Sequence, residues 1–490
     1  MNERIKNNIN TILSIFLLFQ PILDLLTGFC LHTLHLNLTI GIIIRILFLF
    51  FMIYTSIIVY KNKKIIIPFS IISIYILLYI LGIFLFKGGN NLFSEIQGVI
   101  KVFYFPILLL SIYSIRDYIR ISKLTYLSTL LLYLIYIFVP TLFGIGYKTY
   151  EITKAGTLGF YNSANEISGI ISILTPYLFI ILITLKKIIP KIFIVLIYLI
   201  VILMMGTKTP LIVLFLTIGV SLAYYWVYLF RKKDYKKVGV SLGILVVGIT
   251  SILLILPKTN FYKNIETHMD FLKVDSIFDV LQKEELIDHF IFSQRLTFLK
   301  NKSNIYNKSN IYQKLFGIGY IKNGKEMKMI EMDFFDIYYS HGLIGFLIFC
   351  LMLILVLNKL YNNEKLTYEN MMEKLSVIWI LFLSFTTGHI ITSPSVSYLS
   401  ILLIMSLYKV ERNIIIGDKK QDSIRIITND ELNKLKIMNN YLIFKILNYK
   451  NYDKCILYLP KDKFANEIAN ITSDNIEEIT NKKGKKNKRN

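Results

Sequence analysis

The sequence predicts an all-α, polytopic membrane protein with one large external loop that carries amphipathic helices. Three observations predict it. Apolar stretches of about 20 residues, long enough to cross a bilayer as helices, recur along positions 1–410. Basic residues crowd every second gap between these stretches. The composition is 54% hydrophobic against 18% charged, with a mean hydropathy of +0.56. Backbone groups in lipid must bond within their own segment, so each stretch is expected to be helical.

Taken in order, the spans are expected at 9–28, 38–60, 65–86, 97–114, 122–144, 164–185, 188–205, 209–230, 238–257, 336–358, 374–391 and 396–409, about twelve in all. Arg4 and Lys6 precede the first span. That span lacks a small-x-small cleavage site and contains Gln20-Pro21 and Asp24, so it reads as an uncleaved anchor. Lys61, Lys63 and Lys64 follow the second span, and Arg116, Arg120 and Lys123 the fourth. Lys186, Lys187 and Lys191 follow the sixth, and Arg231, Lys232, Lys233, Lys236 and Lys237 the eighth. Lys359, Lys365 and Lys374 follow the tenth. Intervening gaps are poorer in charge. Cytoplasmic loops attract the Lys/Arg excess, so a cytoplasmic membrane protein with both termini inside is expected. The segment 258–335 then lies outside.

That segment and the tail break the pattern. Within 277–299, Ile277, Val280, Leu281, Ile287, Phe290, Ile291, Leu296 and Leu299 recur at helical intervals, which predicts one or two amphipathic helices on the outer face. A loop rich in Asn, Lys and Ser follows over 300–314, then the turn signal Gly317-Ile318-Gly319. The tail 411–490 reads as a basic, cytoplasmic, partly disordered segment touching anionic lipid, with a small helix or strand within 440–459.

Composition excludes several classes. A net charge of +23 in a soluble chain would suggest nucleic acid. Here most of the excess sits in cytoplasmic gaps and the tail, where it sets topology and meets lipid headgroups, so no nucleic-acid partner is expected. Cys30, Cys350 and Cys455 are far apart and lack ligand spacing, and His32 and His35 have no third ligand near, so neither a disulfide framework nor a metal site is expected.

Ionisable residues within spans are costly and mark sites. Asp24, Arg45, Lys101, Asn162, Asn165, Glu166, Lys208, Asp333, Asp336 and His389 all fall at or near the outer ends of their spans. A carrier keeps its site near the midplane among broken helices, and a channel needs polar rings through the whole depth. Polar groups gathered at the outer face suit a lipid-linked substrate whose headgroup is presented outside. Each residue also has a plainer reading. Asp24 and Arg45 can pair with each other, Glu166 can cap its helix, and His389 can serve as a hydrogen-bonded helix end.

Four stretches resemble a known family. They are Gln20-Pro21-Ile22-Leu23-Asp24; Gly159-Phe160-Tyr161-Asn162-Ser163-Ala164-Asn165-Glu166; Gly206-Thr207-Lys208-Thr209; and the external loop. In the loop, Ser293-Gln294-Arg295-Leu296-Thr297 is followed by Gly317-Ile318-Gly319, Glu331-Met332-Asp333 and Gly342-Leu343-Ile344-Gly345. With the topology, these make the chain resemble the O-antigen ligase and O-antigen polymerase superfamily, membrane glycosyltransferases of the GT-C type. The resemblance covers most of 1–410 and leaves the tail outside.

The resemblance implies a GT-C-like bundle that transfers a glycan from a polyprenyl diphosphate to a sugar hydroxyl. No cofactor is implied; the partners are the glycan donor, a glycan acceptor, the bilayer, a flippase and a chain-length regulator. Arg295 matches the family's diphosphate-binding arginine, and Lys208 a second basic position; lysine keeps the charge but loses the bidentate fork. Arg45 adds to them if Asp24 does not neutralise it. The His-Asn pair of the ligase branch is absent. Counting back from Gly342, Glu331 stands at the histidine position and Met332 at the Asn position. This departure resembles polymerases of Gram-positive bacteria. Glu331 is the first candidate for the base, with Asp333 and His389 in reserve. Asn162, Asn165, Glu166 and Asp336 are candidate substrate-binding residues. Polymerisation of lipid-linked repeat units leads; ligation to another acceptor and transport of the lipid-linked glycan are the alternatives.

Overall fold

The computed structural model describes residues 2–36, 39–87, 92–150, 156–274, 276–322, 325–361 and 367–408, with three short strands beyond them. The chain divides into two compact units, Met1–Tyr408 and Lys409–Asn490. Unit 1 is helical. Its first eight long helices are α1 (Asn2–His32), α2 (Ile40–Tyr54, prolonged by a π turn over Thr55–Val59), α3 (Ile66–Lys87), α4 (Leu92–Tyr113), α5 (Lys123–Leu142), α6 (Ala164–Thr184), α7 (Ile188–Met205) and α8 (Lys208–Arg231). α9 (Tyr235–Ile255) follows, then five shorter helices: α10 (Asn260–Leu272), α11 (Ile277–Val280), α12 (Glu284–Phe290), α13 (Arg295–Asn307) and α14 (Ile311–Phe316). The strands β1 (Ile321–Lys322) and β2 (Lys325–Glu326) form a small antiparallel ladder. α15 (Asp333–Tyr361), α16 (Tyr368–Thr386) and α17 (Pro394–Ser406) complete the unit.

Among the described residues, nine helices are long and apolar enough to cross a membrane: those in α1 to α8, and Asp333–Ile354 of α15. α9 and α16 are of similar length, but α16 opens with Glu369, Glu373 and Lys374. α17 has 13 residues, about 20 Å at 1.5 Å per residue, and falls short of a hydrocarbon core of about 30 Å. The expected span 374–391 stops early because Gly388 and His389 take left-handed φ of +65° and +57°, which ends the helix.

Helix starts follow local chemistry. Ser122, Ser163 and Thr367 accept hydrogen bonds from backbone N–H groups of the first turns of α5, α6 and α16. Gly206, at φ +71°, closes α7 and lets the chain reverse into α8 within two residues. α6 is the hub of the bundle, packed on α5, α8, α16 and α17. Between α1, α2 and α5 lies a buried polar cluster. Arg45 donates to Asp24 at 2.6 Å and to Gln20 at 3.0 and 2.8 Å, and Tyr133 donates to the other Asp24 oxygen at 2.6 Å.

Two expectations for the segment 258–335 are corrected. The periodic stretch 277–299, expected to hold one or two helices, holds α11, α12 and the start of α13. It breaks at Ser293 and Gln294, two successive residues with φ of +52° and +67°. The stretch 300–314 is not a loop, since α13 runs to Asn307 and α14 begins at Ile311. The carboxylate of Asp288 accepts from the N–H groups of Leu296 and Thr297, both at 2.9 Å, and so caps α13 from outside its own sequence. Gly342, at φ +66° and ψ −172°, kinks α15. Gly317 packs against that kink, where an added Cβ would lie 2.0 Å from the Ser340 carbonyl oxygen; Ile318 and Gly319 donate to Tyr339 and Ser340. The two glycine motifs of the loop therefore fit each other backbone to backbone.

Unit 2 contains a three-stranded sheet: β3 (Ile414–Gly417) pairs antiparallel with β4 (Ile424–Ile427) and parallel with β5 (Cys455–Leu457). Part of the tail expected to be unstructured is thus a sheet, and β5 falls within 440–459. The remainder of that stretch and the basic end lie outside the described residues.

Candidate active site

The site is built on the first turn of α15. Asp333 and Asp336 sit there one turn apart, and each carboxylate gathers a different loop. Asp336 accepts from the N–H groups of Ile330 at 3.0 Å, Glu331 at 2.8 Å and Met332 at 3.3 Å. It also pairs with Lys302 of α13 at 2.9 Å, and Lys302 donates to Ser340 at 3.0 Å. Asp333 accepts from the N–H groups of His389 at 2.7 Å and of Ile390 and Ile391 at 2.9 Å, and from the Thr392 hydroxyl at 2.5 Å. Both aspartates and Lys302 are buried. Buried charge is tolerated only when paired and hydrogen-bonded, and these groups meet that condition.

The two gathered loops lie against each other. A Cβ on Gly388 would lie 2.5 Å from the Glu331 carbonyl carbon. The loop from α15 carries Glu331 at φ +63°, a conformation that costs a non-glycine residue energy and recurs at functional sites. The Glu331 carboxylate meets Arg295 at 3.4 Å and Asn165 at 3.2 Å on one oxygen, and Lys328 at 3.8 Å on the other. Its side chain keeps 26% of its exposure. Arg295 opens α13 and also donates to the Thr387 carbonyl at 3.4 Å. Its Nε is buried and has no partner among the described residues. Four elements thus converge: α6 through Asn165, α13 through Arg295, the approach to α15 through Glu331, and the turn after α16 through Thr387.

Lys208 lies at the first position of α8, the positive end of the helix, where a cation is misplaced unless an anion joins it. Its ammonium donates to the Phe290 carbonyl at 2.5 Å and rests 4.0 Å from the centre of that ring. Phe290 ends α12, five residues before Arg295. Glu166 accepts from Ser395 at 2.9 Å, and its own N–H is capped by Ser163. Asn162 is exposed. The His389 ring has no hydrogen bond among the described residues; only its backbone is held.

The sequence-predicted residues therefore separate. Arg295, Glu331 and Asn165 meet directly. Lys208 joins them through the α12–α13 turn. Asp333 and Asp336 have their oxygens occupied by protein donors and hold loops. Arg45 is neutralised by Asp24 in its own cluster, so the condition under which it would serve the anion site is not met. Lys302, Asp288 and the Thr387 carbonyl were not singled out in the sequence. Lys302 was nonetheless readable: it stands two helical turns after Arg295 and so shares its face of α13. No group of three metal-ligating side chains occurs among the described residues.

No curated protein matches the chain. A family model described as O-antigen ligase like membrane protein matches residues 6–279 and 273–413. Proteins of this family are membrane enzymes of the glycosyltransferase type that act on lipid-linked glycans. With matched segments that span nearly all of the helical unit, the chain belongs to the O-antigen ligase-like membrane proteins.

Proposed function

We propose that this protein polymerises polyprenyl-diphosphate-linked oligosaccharide repeat units on the outer face of the cytoplasmic membrane. The carrying observation is the pairing of a nearly buried arginine with a partly exposed carboxylate, Arg295 with Glu331 at 3.4 Å. A cation for a leaving anion and a base for an attacking hydroxyl stand side by side. In this reading the donor diphosphate takes the Arg295 guanidinium, whose Nε is free for it, and Lys208 at the α8 N-terminus. Engaging Arg295 frees the Glu331 carboxylate. The acceptor hydroxyl oxygen then attacks the anomeric carbon, its proton passes to Glu331, and the carbon–oxygen bond to the diphosphate breaks. The electron pair leaves with the diphosphate, where the fixed cations stabilise it. Asn165 holds the carboxylate in place. The absence of the ligase-branch histidine at position 331 favours a polymerase over a ligase.

The test is deletion of the gene in its host, with complementation by wild type and by Arg295→Ala. A polymerase leaves single repeat units on the lipid carrier and no long chains. Full-length polymer that remains lipid-linked and unattached would instead identify a ligase and overturn the proposal.

A further inference from the structure

Beside Lys208 stands a residue that the reaction scheme above does not use. His268 lies on α10, and its ring stacks on Phe290 with centroids 5.3 Å apart and planes 27° apart. The same Phe290 carries the Lys208 ammonium on its ring and carbonyl. One turn earlier on the same face of α10, Asn264 donates to the Gly206 carbonyl at 3.4 Å, at the turn that leads into Lys208. α10 therefore packs at the turn between α7 and α8, with Asn264 on Gly206 and His268 on Phe290, the residue that holds Lys208. Asn264 also bonds Tyr150, which is within electrostatic reach of Arg295. His289, which follows Asp288 on α12, contacts Gln294 at 3.0 and 3.1 Å, next to Arg295. A half-buried imidazole is thus fixed within the group of cations assigned to the diphosphate.

We propose that His268 is a third, titratable cation of the anion site, so that binding of a diphosphate-linked donor is accompanied by uptake of a proton at its ring. This rests on the reading of Lys208 and Arg295 as the diphosphate site. Without ligand, burial and the neighbouring charges of Lys208 and His289 hold the imidazole below its ordinary value. A bound diphosphate reverses the local charge and favours the imidazolium. The sign follows. Affinity rises as pH falls from the ring's ligand-bound value toward its free value, and levels off outside that window. The charges that act on the ring are Lys208 from α8 and His289 from α12; Tyr150, from the loop after α5, bonds Asn264 and lies within electrostatic reach of Arg295, and Asp288 of α12 is turned to the start of α13. Lys258 precedes α10, whose Glu266 and Asp270 are exposed on other faces. The outer end of α7, on which α10 also packs, carries no ionisable side chain over 199–205.

The experiment measures binding of inorganic pyrophosphate to the purified full chain between pH 8 and pH 5.5, for wild type, His268→Gln, His268→Arg and Arg295→Ala. The protonation of pyrophosphate is common to all four and cancels in the ratios. If ligand binding makes the ring about ten times harder to deprotonate, the affinity of wild type relative to His268→Gln should grow as the pH falls across this range, up to a limit of about tenfold. His268→Arg should bind tightly at pH 8 and lose the extra pH dependence, which a merely packing role would not produce. Equal pH slopes for wild type and His268→Gln overturn the proposal while leaving the anion site intact. Undiminished binding by Arg295→Ala overturns the anion site itself, and this inference with it.

Discussion

Glu331 and Asp333 stand two residues apart and are held in opposite ways. Asp333 is 2% exposed and accepts from four donors of the loop after α16, so it has no oxygen left for an incoming hydroxyl. Glu331 keeps solvent access and is held by longer contacts to Arg295, Asn165 and Lys328. A base must reach its substrate, so the geometry prefers Glu331. Glu331→Gln keeps the shape and the amide contact but removes the base, and should slow chain formation by about 10²- to 10⁴-fold, read as accumulation of lipid-linked repeat units. Donor binding should survive. Near-normal polymer in that variant, with none in His389→Ala, would move the base to the histidine ring. Arg295→Ala should abolish long chains without lowering membrane expression, because no other described residue offers a forked donor at that position. Arg295→Lys should retain part of the activity at best, and blots of polymer length against expression level check both.

At the scale of elements, the first turn of α15 organises the site through two buried carboxylates. Lys302 completes it from α13, with its charge fully inside protein. Removing one member of a buried pair leaves the other uncompensated, at a cost of about 3–5 kcal/mol. Lys302→Met should therefore lower the thermal midpoint of the purified protein and expose the loop 328–332 to protease, whereas Lys328→Met, at an exposed lysine, should do neither. An unchanged midpoint for Lys302→Met would mean that Asp336 does not need its partner. This device was not legible in the sequence, and the reason is distance along the chain. Asp336 meets a lysine 34 residues earlier, and Asp333 meets amides 56 to 58 residues later. Hydropathy and periodicity report only on neighbours within a few turns. Nine of the twelve expected spans coincide with helices long and apolar enough to cross a membrane among the described residues and were legible for that reason, as was the break at Gly317–Gly319. The pairing of Asp24 with Arg45 was legible too, since both sit near the joined ends of successive spans. The short helices α11 to α14 were misread because their order depends on an outside cap at Asp288 and on two left-handed residues with no glycine to announce them.

At the scale of the whole chain, one end of the helical unit carries all the groups argued to act. Lys208, Arg295, Glu331, Asn165 and the turn after α16 join through hydrogen bonds and ring contacts at the end opposite the contacts Asn10–Tyr118, Asn62–Ser114 and Lys123–Glu369. The gaps at that opposite end hold the clusters Lys61–Lys64, Arg116–Lys123, Lys186–Lys191 and Arg231–Lys237. Positive clusters stay in the cytoplasm, so the active end is expected to face out. This assignment bears on the chemistry, because the proposed polymerisation occurs where flipped, lipid-linked units are presented. It can be checked without any assay of activity. Asn304, exposed on α13, is replaced by cysteine in a chain whose native cysteines are changed to serine, and a reporter is fused at Lys233. A membrane-impermeant thiol reagent should label position 304 on intact cells, and the reporter at 233 should read cytoplasmic. Labelling at 304 only after the cells are opened would invert the bundle. Arg295 and Glu331 would then face nucleotide-activated sugars in the cytoplasm, and the polymerase reading would have to be abandoned even though every distance in the site stayed the same.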